Sequence, residues 1–325
     1  MTFVNIVIFF LISFCGLYIT YYISNKFDLF DYPNKKKIHL IKTANIAGIA
    51  FILLFISSII VYDYLQNELL IIFLCIIVIL IGFIDDLKNI KAITKLILIS
   101  LPVIYFIVNI SEVSTLGSLL SYNINLGKFG FFFTFMCMLL LINATNYMDG
   151  MDGLISLLAI ITFSSIIFLL PKSEWNLLTP IICFLIVFLF FNFGILPKQF
   201  LGDSGSLGIG FLLSAVSIYY TQENKFIDPT IIIWFLSFYV YEFLTINIIR
   251  LKNKKNLFTK DLNFIFNILE KKIGKVNTLL SCCSLNIFFI INGYFFNYFM
   301  LYDFSILLFI IYFLIYLGIR LKYLN

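Results

Sequence analysis

Residues 69–86 read Leu-Leu-Ile-Ile-Phe-Leu-Cys-Ile-Ile-Val-Ile-Leu-Ile-Gly-Phe-Ile-Asp-Asp. An uncharged apolar run is followed at once by two adjacent aspartates. No polar face interrupts the run, so it does not read as the amphipathic helix of a soluble domain. It reads as the core of a bilayer-spanning helix, which needs ~20 apolar residues and here has flanks that can extend it. The rest of the 325-residue chain repeats this theme: 62% of residues are hydrophobic, 12% are charged, and Phe occurs 40 times. Soluble domains carry roughly a quarter charged residues. A soluble enzyme, a nucleic-acid binder and a disordered chain are therefore excluded. The six cysteines lie mostly within apolar runs and lack metal-ligand spacing, so they read as small apolar residues.

Eleven charge-poor runs emerge, at 3–24, 44–62, 69–84, 96–111, 129–148, 153–171, 175–197, 204–222, 229–249, 276–302 and 304–319. The expected architecture is an all-α polytopic membrane protein with about eleven transmembrane helices, forming one domain over 1–325. Its largest polar loop spans about 250–275. The first run lacks a basic start and a small-residue cleavage site, so it reads as a retained helix. If the chain alternates across eleven spans, 19 of its 22 Lys and Arg residues fall on one side. The other side keeps Lys128, Lys172 and Lys225. The positive-inside rule makes the rich side cytoplasmic, with the N-terminus outside and the C-terminus inside.

Four polar constellations fall at that face. Asp85 and Asp86 end the third run, where two acids oppose the helix dipole and suit a metal or general-base site. Asn143, Asn146, Asp149 and Asp152 recur every third residue. On a helix they form one slowly winding stripe, and unpaired amides in an apolar run are costly. Gly202, Asp203 and Ser204 open the eighth run, where free backbone N–H groups at a helix start would suit phosphate or a bridging Mg²⁺. Glu242 lies seven residues inside the apolar end of the ninth run, a depth at which an ionisable group is a functional candidate. Two basic segments face these acids: Lys35-Lys36-Lys37-Ile38-His39, and Arg250 to Lys255 with Lys260. They set topology and would also attract a diphosphate or anionic head groups. His39 is the sole histidine, which speaks against a zinc site or a Ser-His-Asp triad.

Together these motifs resemble the polyprenyl-phosphate N-acetylhexosamine-1-phosphate transferase family, which includes the undecaprenyl-phosphate sugar-1-phosphate transferases and phospho-N-acetylmuramoyl-pentapeptide transferase. The resemblance rests on the DxPxxxKxH stretch from Asp31, Gly82-x-x-Asp85-Asp86, the NxxNxxDGxDG stretch from Asn143, and Phe200-x-GDSGS. It also rests on Glu242 eight residues before Arg250, and it covers nearly the whole chain. It implies that a UDP-N-acetyl amino sugar gives its sugar 1-phosphate to undecaprenyl phosphate, with release of UMP. It implies Mg²⁺, or Mn²⁺ in its place, on Asn146 and Asp203. It gives Asp85 and Asp86 the catalytic positions at the lipid phosphate, places Asp149, Asp152 and Phe200 in the nucleotide pocket, and sets Lys36 and Lys37 near the phosphates. A bacterial inner-membrane location, a role in cell-envelope glycan synthesis and no nucleic-acid partner are further implications, and a homodimer is compatible with them. Many members carry a histidine motif where this chain has Phe264, Phe266 and Asn267. That departure bears on the donor sugar and raises a catalytically altered paralogue as one alternative. A multispan transporter is the other; it would need polar groups near the midplane and repeated halves.

Overall fold

The computed structural model describes residues 3–32, 42–255 and 263–323. Lys36, Lys37, His39 and Lys260 lie outside the described residues. The chain is an all-α polytopic membrane protein, and each of the eleven apolar runs becomes a helix or a helix pair. The helices are α1 Phe3–Phe27, α2 Ala50–Val61, α3 Gln66–Lys88, α4 Ala92–Asn109, α5 Gly130–Met148, α6 Leu154–Leu169, α7 Leu178–Asn192, α8 Gly202–Ile218, α9 Pro229–Phe235, α10 Ser237–Lys252, α11 Ile265–Ile273, α12 Lys275–Tyr298 and α13 Tyr302–Tyr323. Among the described residues, seven helical stretches are long and apolar enough to cross a bilayer singly. The α9–α10 pair makes an eighth if counted as one bent span. The ninth run is thus not straight: it turns by 69° between its two helices. At the break the Ser237 hydroxyl donates to the Ile233 carbonyl at 3.1 Å, satisfying an acceptor that the bend would expose.

Among the described residues, sheet is confined to two small antiparallel pairs. β1 Phe30–Asp31 pairs with β2 Thr43–Ala44, and β3 Thr115–Leu119 pairs with β4 Tyr122–Asn125. A short amphipathic helix, α11, occupies part of the polar segment that the sequence leaves as a loop.

The centre of the bundle is α8, packed between α3 and α5. Every residue of α8 except Asp203 is buried. Four glycines in this helix let its neighbours approach closely, as small residues do between membrane helices. The tightest approach on α3 is at Gly82, where an added Cβ would lie 2.5 Å from the Asp203 carbonyl oxygen and 2.6 Å from Ser204 Cα. Both are backbone atoms that cannot swing aside. Gly82→Ala is therefore expected to push α3 off α8 and destabilise the protein by about 1–3 kcal/mol. Thermal unfolding in detergent measures this, and an unchanged midpoint would contradict the packing.

Candidate active site

The end of α3, the start of α4, the end of α5 and the start of α8 meet at one end of the bundle. Asp85 sits in the last turn of α3, and its Oδ1 accepts from Ile90 N at 2.7 Å, closing the turn into α4. Its Oδ2 accepts from Lys95 Nζ at 2.9 Å. The same ammonium donates to Asp203 Oδ2 in the first turn of α8. Asp203 Oδ1 accepts from Asn146 Nδ2 at 3.0 Å, and that amide also donates to Ser206 Oγ at 2.9 Å. Asp85, Lys95, Asp203 and Asn146 thus form one connected chain across four helices.

Asp86 has a different task from its neighbour. Its Oδ1 accepts from Asp203 N at 2.8 Å and its Oδ2 from Ser204 N at 3.0 Å. Asn45 Nδ2 adds a longer bond to Oδ1 at 3.3 Å. A carboxylate of α3 therefore caps the N-terminus of α8, where the helix dipole favours negative charge. Gly202, with φ +74°, makes the turn into this arrangement. At the helix start that the sequence marks for phosphate, the N–H groups of Asp203 and Ser204 are taken by Asp86. Two acids at the end of α3 are tolerated because one is neutralised by Lys95 and the other by a neighbouring helix start.

The expected helical stripe also resolves differently. α5 ends at Met148, with Asp149 as its C-cap, so the period of three does not continue as helix. Asn143 donates to its own Leu139 carbonyl at 2.7 Å. Of the four, Asn146 is bonded to Asp203. Asp152, in the following turn, accepts at one oxygen from both Lys198 Nζ at 2.8 Å and Lys275 Nζ at 2.6 Å. Lys198 also lies over the Phe200 ring at 5.5 Å, so Asp152 and Phe200 do share a neighbourhood. Phe200 is fixed by its backbone, which donates to Ala44 O at 2.7 Å and accepts from Ala47 N at 3.3 Å.

Glu242 lies away from this cluster. It is fully buried and accepts from Arg320 Nη2 at 3.2 Å, Tyr316 hydroxyl at 2.5 Å and Ile265 N at 2.6 Å. Arg320 also donates to the Asn263 carbonyl at 2.6 Å. Glu242 therefore ties α13 and the start of α11 to α10. It is placed as one half of a buried ion pair with Arg320. The segment it holds carries Phe264 and Phe266, both buried and stacked at 5.4 Å between ring centres. Phe264 and the Arg250 guanidinium both lie against Tyr147 of α5, with ring-centre distances of 6.0 and 5.2 Å.

Lys95, Lys198 and Lys275 are not singled out by the sequence, whereas Ser206 closes its Phe200-x-GDSGS stretch. Lys95 borders an apolar run like any topology-setting lysine, and only the fold brings it to Asp85 and Asp203.

Residues 69–221 match the model of a known family, described as glycosyl transferase family 4. That stretch contains Asp85, Asp86, Lys95, Asn146 and Asp203, the whole connected cluster. Over 96 residues the chain is 35% identical to the undecaprenyl-phosphate alpha-N-acetylglucosaminyl 1-phosphate transferase of Thermotoga maritima. The matched stretch covers 30% of this chain and 32% of that relative, so it spans about a third of the relative's length. The matched stretch runs from α3 to the turn after α8, which is the part of the bundle that builds the cluster.

Proposed function

We propose that this protein is a polyprenyl-phosphate sugar-1-phosphate transferase of a bacterial inner membrane, with its site on the cytoplasmic face. The donor is a UDP-N-acetyl amino sugar and the acceptor is undecaprenyl phosphate. An oxygen of the lipid phosphate forms a bond to the sugar-bearing phosphorus of the donor. The bond from that phosphorus to the bridging oxygen breaks, and UMP leaves with the electron pair. The products are undecaprenyl-diphosphate-sugar and UMP, the first step of an envelope glycan. The observation that carries this reading is the Asp203 carboxylate, held between Lys95 and Asn146 inside the family 4 segment. The 19-to-3 division of basic residues supports the sidedness.

The donor set suits Mg²⁺. Asp203 and Asp85 offer hard carboxylate oxygens, and half a turn of the Asn146 amide would offer its oxygen as well. Among the described residues no three acid, His or Cys side chains form a cage of their own. That fits an ion which shares its shell with water and phosphate oxygens. When bound, such an ion would neutralise charge on the transferred phosphoryl group. The chain's own residues do the rest. Asp86 fixes the start of α8, so Asp203 is held in place. Lys95 adds a positive centre beside the carboxylates. The acceptor phosphate is already anionic near neutral pH, so neutralising charge and aligning the two phosphates are the main tasks.

The test is the purified protein with undecaprenyl phosphate, Mg²⁺ and a panel of UDP-N-acetyl amino sugars. UMP release together with a lipid-diphosphate-sugar in the mass spectrum is the expected result for at least one donor. Sugar flux across proteoliposomes without UMP would overturn it in favour of transport.

A further inference from the structure

The Lys95 ammonium touches the oxygens that a metal on Asp203 would need. It donates to Asp203 Oδ2 and, at 2.9 Å, to Asp85 Oδ2. Its side chain is 14% exposed, so water screens it only partly. The other oxygens of the cluster have partners of their own: Asp85 Oδ1 has Ile90 N, Asp203 Oδ1 has Asn146, and Asp86 has the start of α8. A cation binding Asp203 either takes Oδ2 from Lys95 or sits on the neighbouring oxygen of the same carboxylate, close enough to repel the ammonium. Lys95 lies in the first turn of α4, and a lysine ammonium on its four-carbon stem can swing without backbone change.

We propose that Lys95 and a divalent cation compete for the Asp203 carboxylate, so that metal entry releases the Lys95 ammonium. The inference rests on the metal reading given above and adds a role that reading does not contain. Its consequence is coupling. The metal alone must work against the Lys95 ion pairs, so it binds weakly. An anionic diphosphate that takes up the freed ammonium removes that penalty, so metal and donor strengthen each other's binding by equal factors.

The experiment uses the full chain in detergent with Mn²⁺ alone as the probe, read by electron paramagnetic resonance without nucleotide or lipid. Lys95→Gln is expected to bind Mn²⁺ about tenfold more tightly than wild type, because a modest charge pair no longer has to be broken. Lys95→Arg keeps the cation and should stay near wild type, and Asp203→Asn should bind least. A second readout needs no variant. Acylation of Lys95 by an amine-reactive reagent, followed by mass spectrometry, should rise when saturating Mg²⁺ is added to the wild-type protein. If Lys95→Gln does not fold, this labelling decides alone. Equal Mn²⁺ affinity in wild type and Lys95→Gln, or Lys95 labelling unmoved by a metal that does bind, overturns the competition and leaves the metal reading standing. Absence of Mn²⁺ binding in every protein overturns both.

Discussion

Asp203→Asn should lower UMP release by about 10³-fold or more while leaving the fold intact. The asparagine has the same shape but offers one neutral oxygen where two charged ones stood. Lys95 loses a counter-charge, and the single remaining oxygen can accept from Lys95 or from Asn146 but not hold both as the two carboxylate oxygens do. The backbone is unaffected, because the Asp203 N–H is held by Asp86 and not by its own side chain. The substitution also removes a negative charge from the first turn of α8, which costs about 0.3–1 kcal/mol. Turnover and thermal midpoint should therefore separate: a near-complete loss of rate beside a small loss of stability. A variant retaining more than a tenth of wild-type turnover would remove Asp203 from the centre of the proposal.

The second large effect is on stability. Glu242→Ala leaves the Arg320 guanidinium buried at 1% side-chain exposure without its carboxylate. Breaking one side of a buried ion pair costs about 3–5 kcal/mol. Tyr316 and Ile265 N lose an acceptor in the same step. Replacing both partners with apolar residues, as in Glu242→Leu with Arg320→Met, should recover most of that loss, because no lone charge is then left buried. Unfolding in detergent of the wild type, Glu242→Leu, Arg320→Met and the double variant gives the coupling directly. If Glu242→Ala and the double variant are equally destabilised, the pair is not what holds α13 to α10.

Much of this was legible in the sequence because apolar length and charge position are strong signals. The runs became helices at nearly the expected positions, and Asp85, Asn146 and Asp203 converge although they lie on three separate helices. What stayed hidden depends on partners distant in the chain. Glu242 and Arg320 are 78 residues apart, so depth in the membrane marked the acid as special without revealing its counter-ion. Asp86 caps a helix that begins more than a hundred residues later, and no local cap pattern records that. The period-three stripe misled because spacing alone does not show that α5 stops before Asp149. The bend at Leu236 has no proline or glycine beside it to announce it.

One property of α8 reaches beyond the chemistry. Apart from Asp203 it has no exposed residue, so it presents no surface to lipid. Its far end continues into the turn Tyr219–Glu223, where Gln222 Oε1 accepts from the backbone N–H groups of Ser114 and Thr115 at the opposite end of the bundle. The helix that carries Asp203 is thus a mast braced at both ends within a sheath of other helices. Helices that touch lipid answer a thinner or thicker bilayer by tilting or kinking. Here that adjustment falls on outer helices such as α13 and α1, while the mast keeps its height. The carboxylate at its tip is insulated from hydrophobic mismatch.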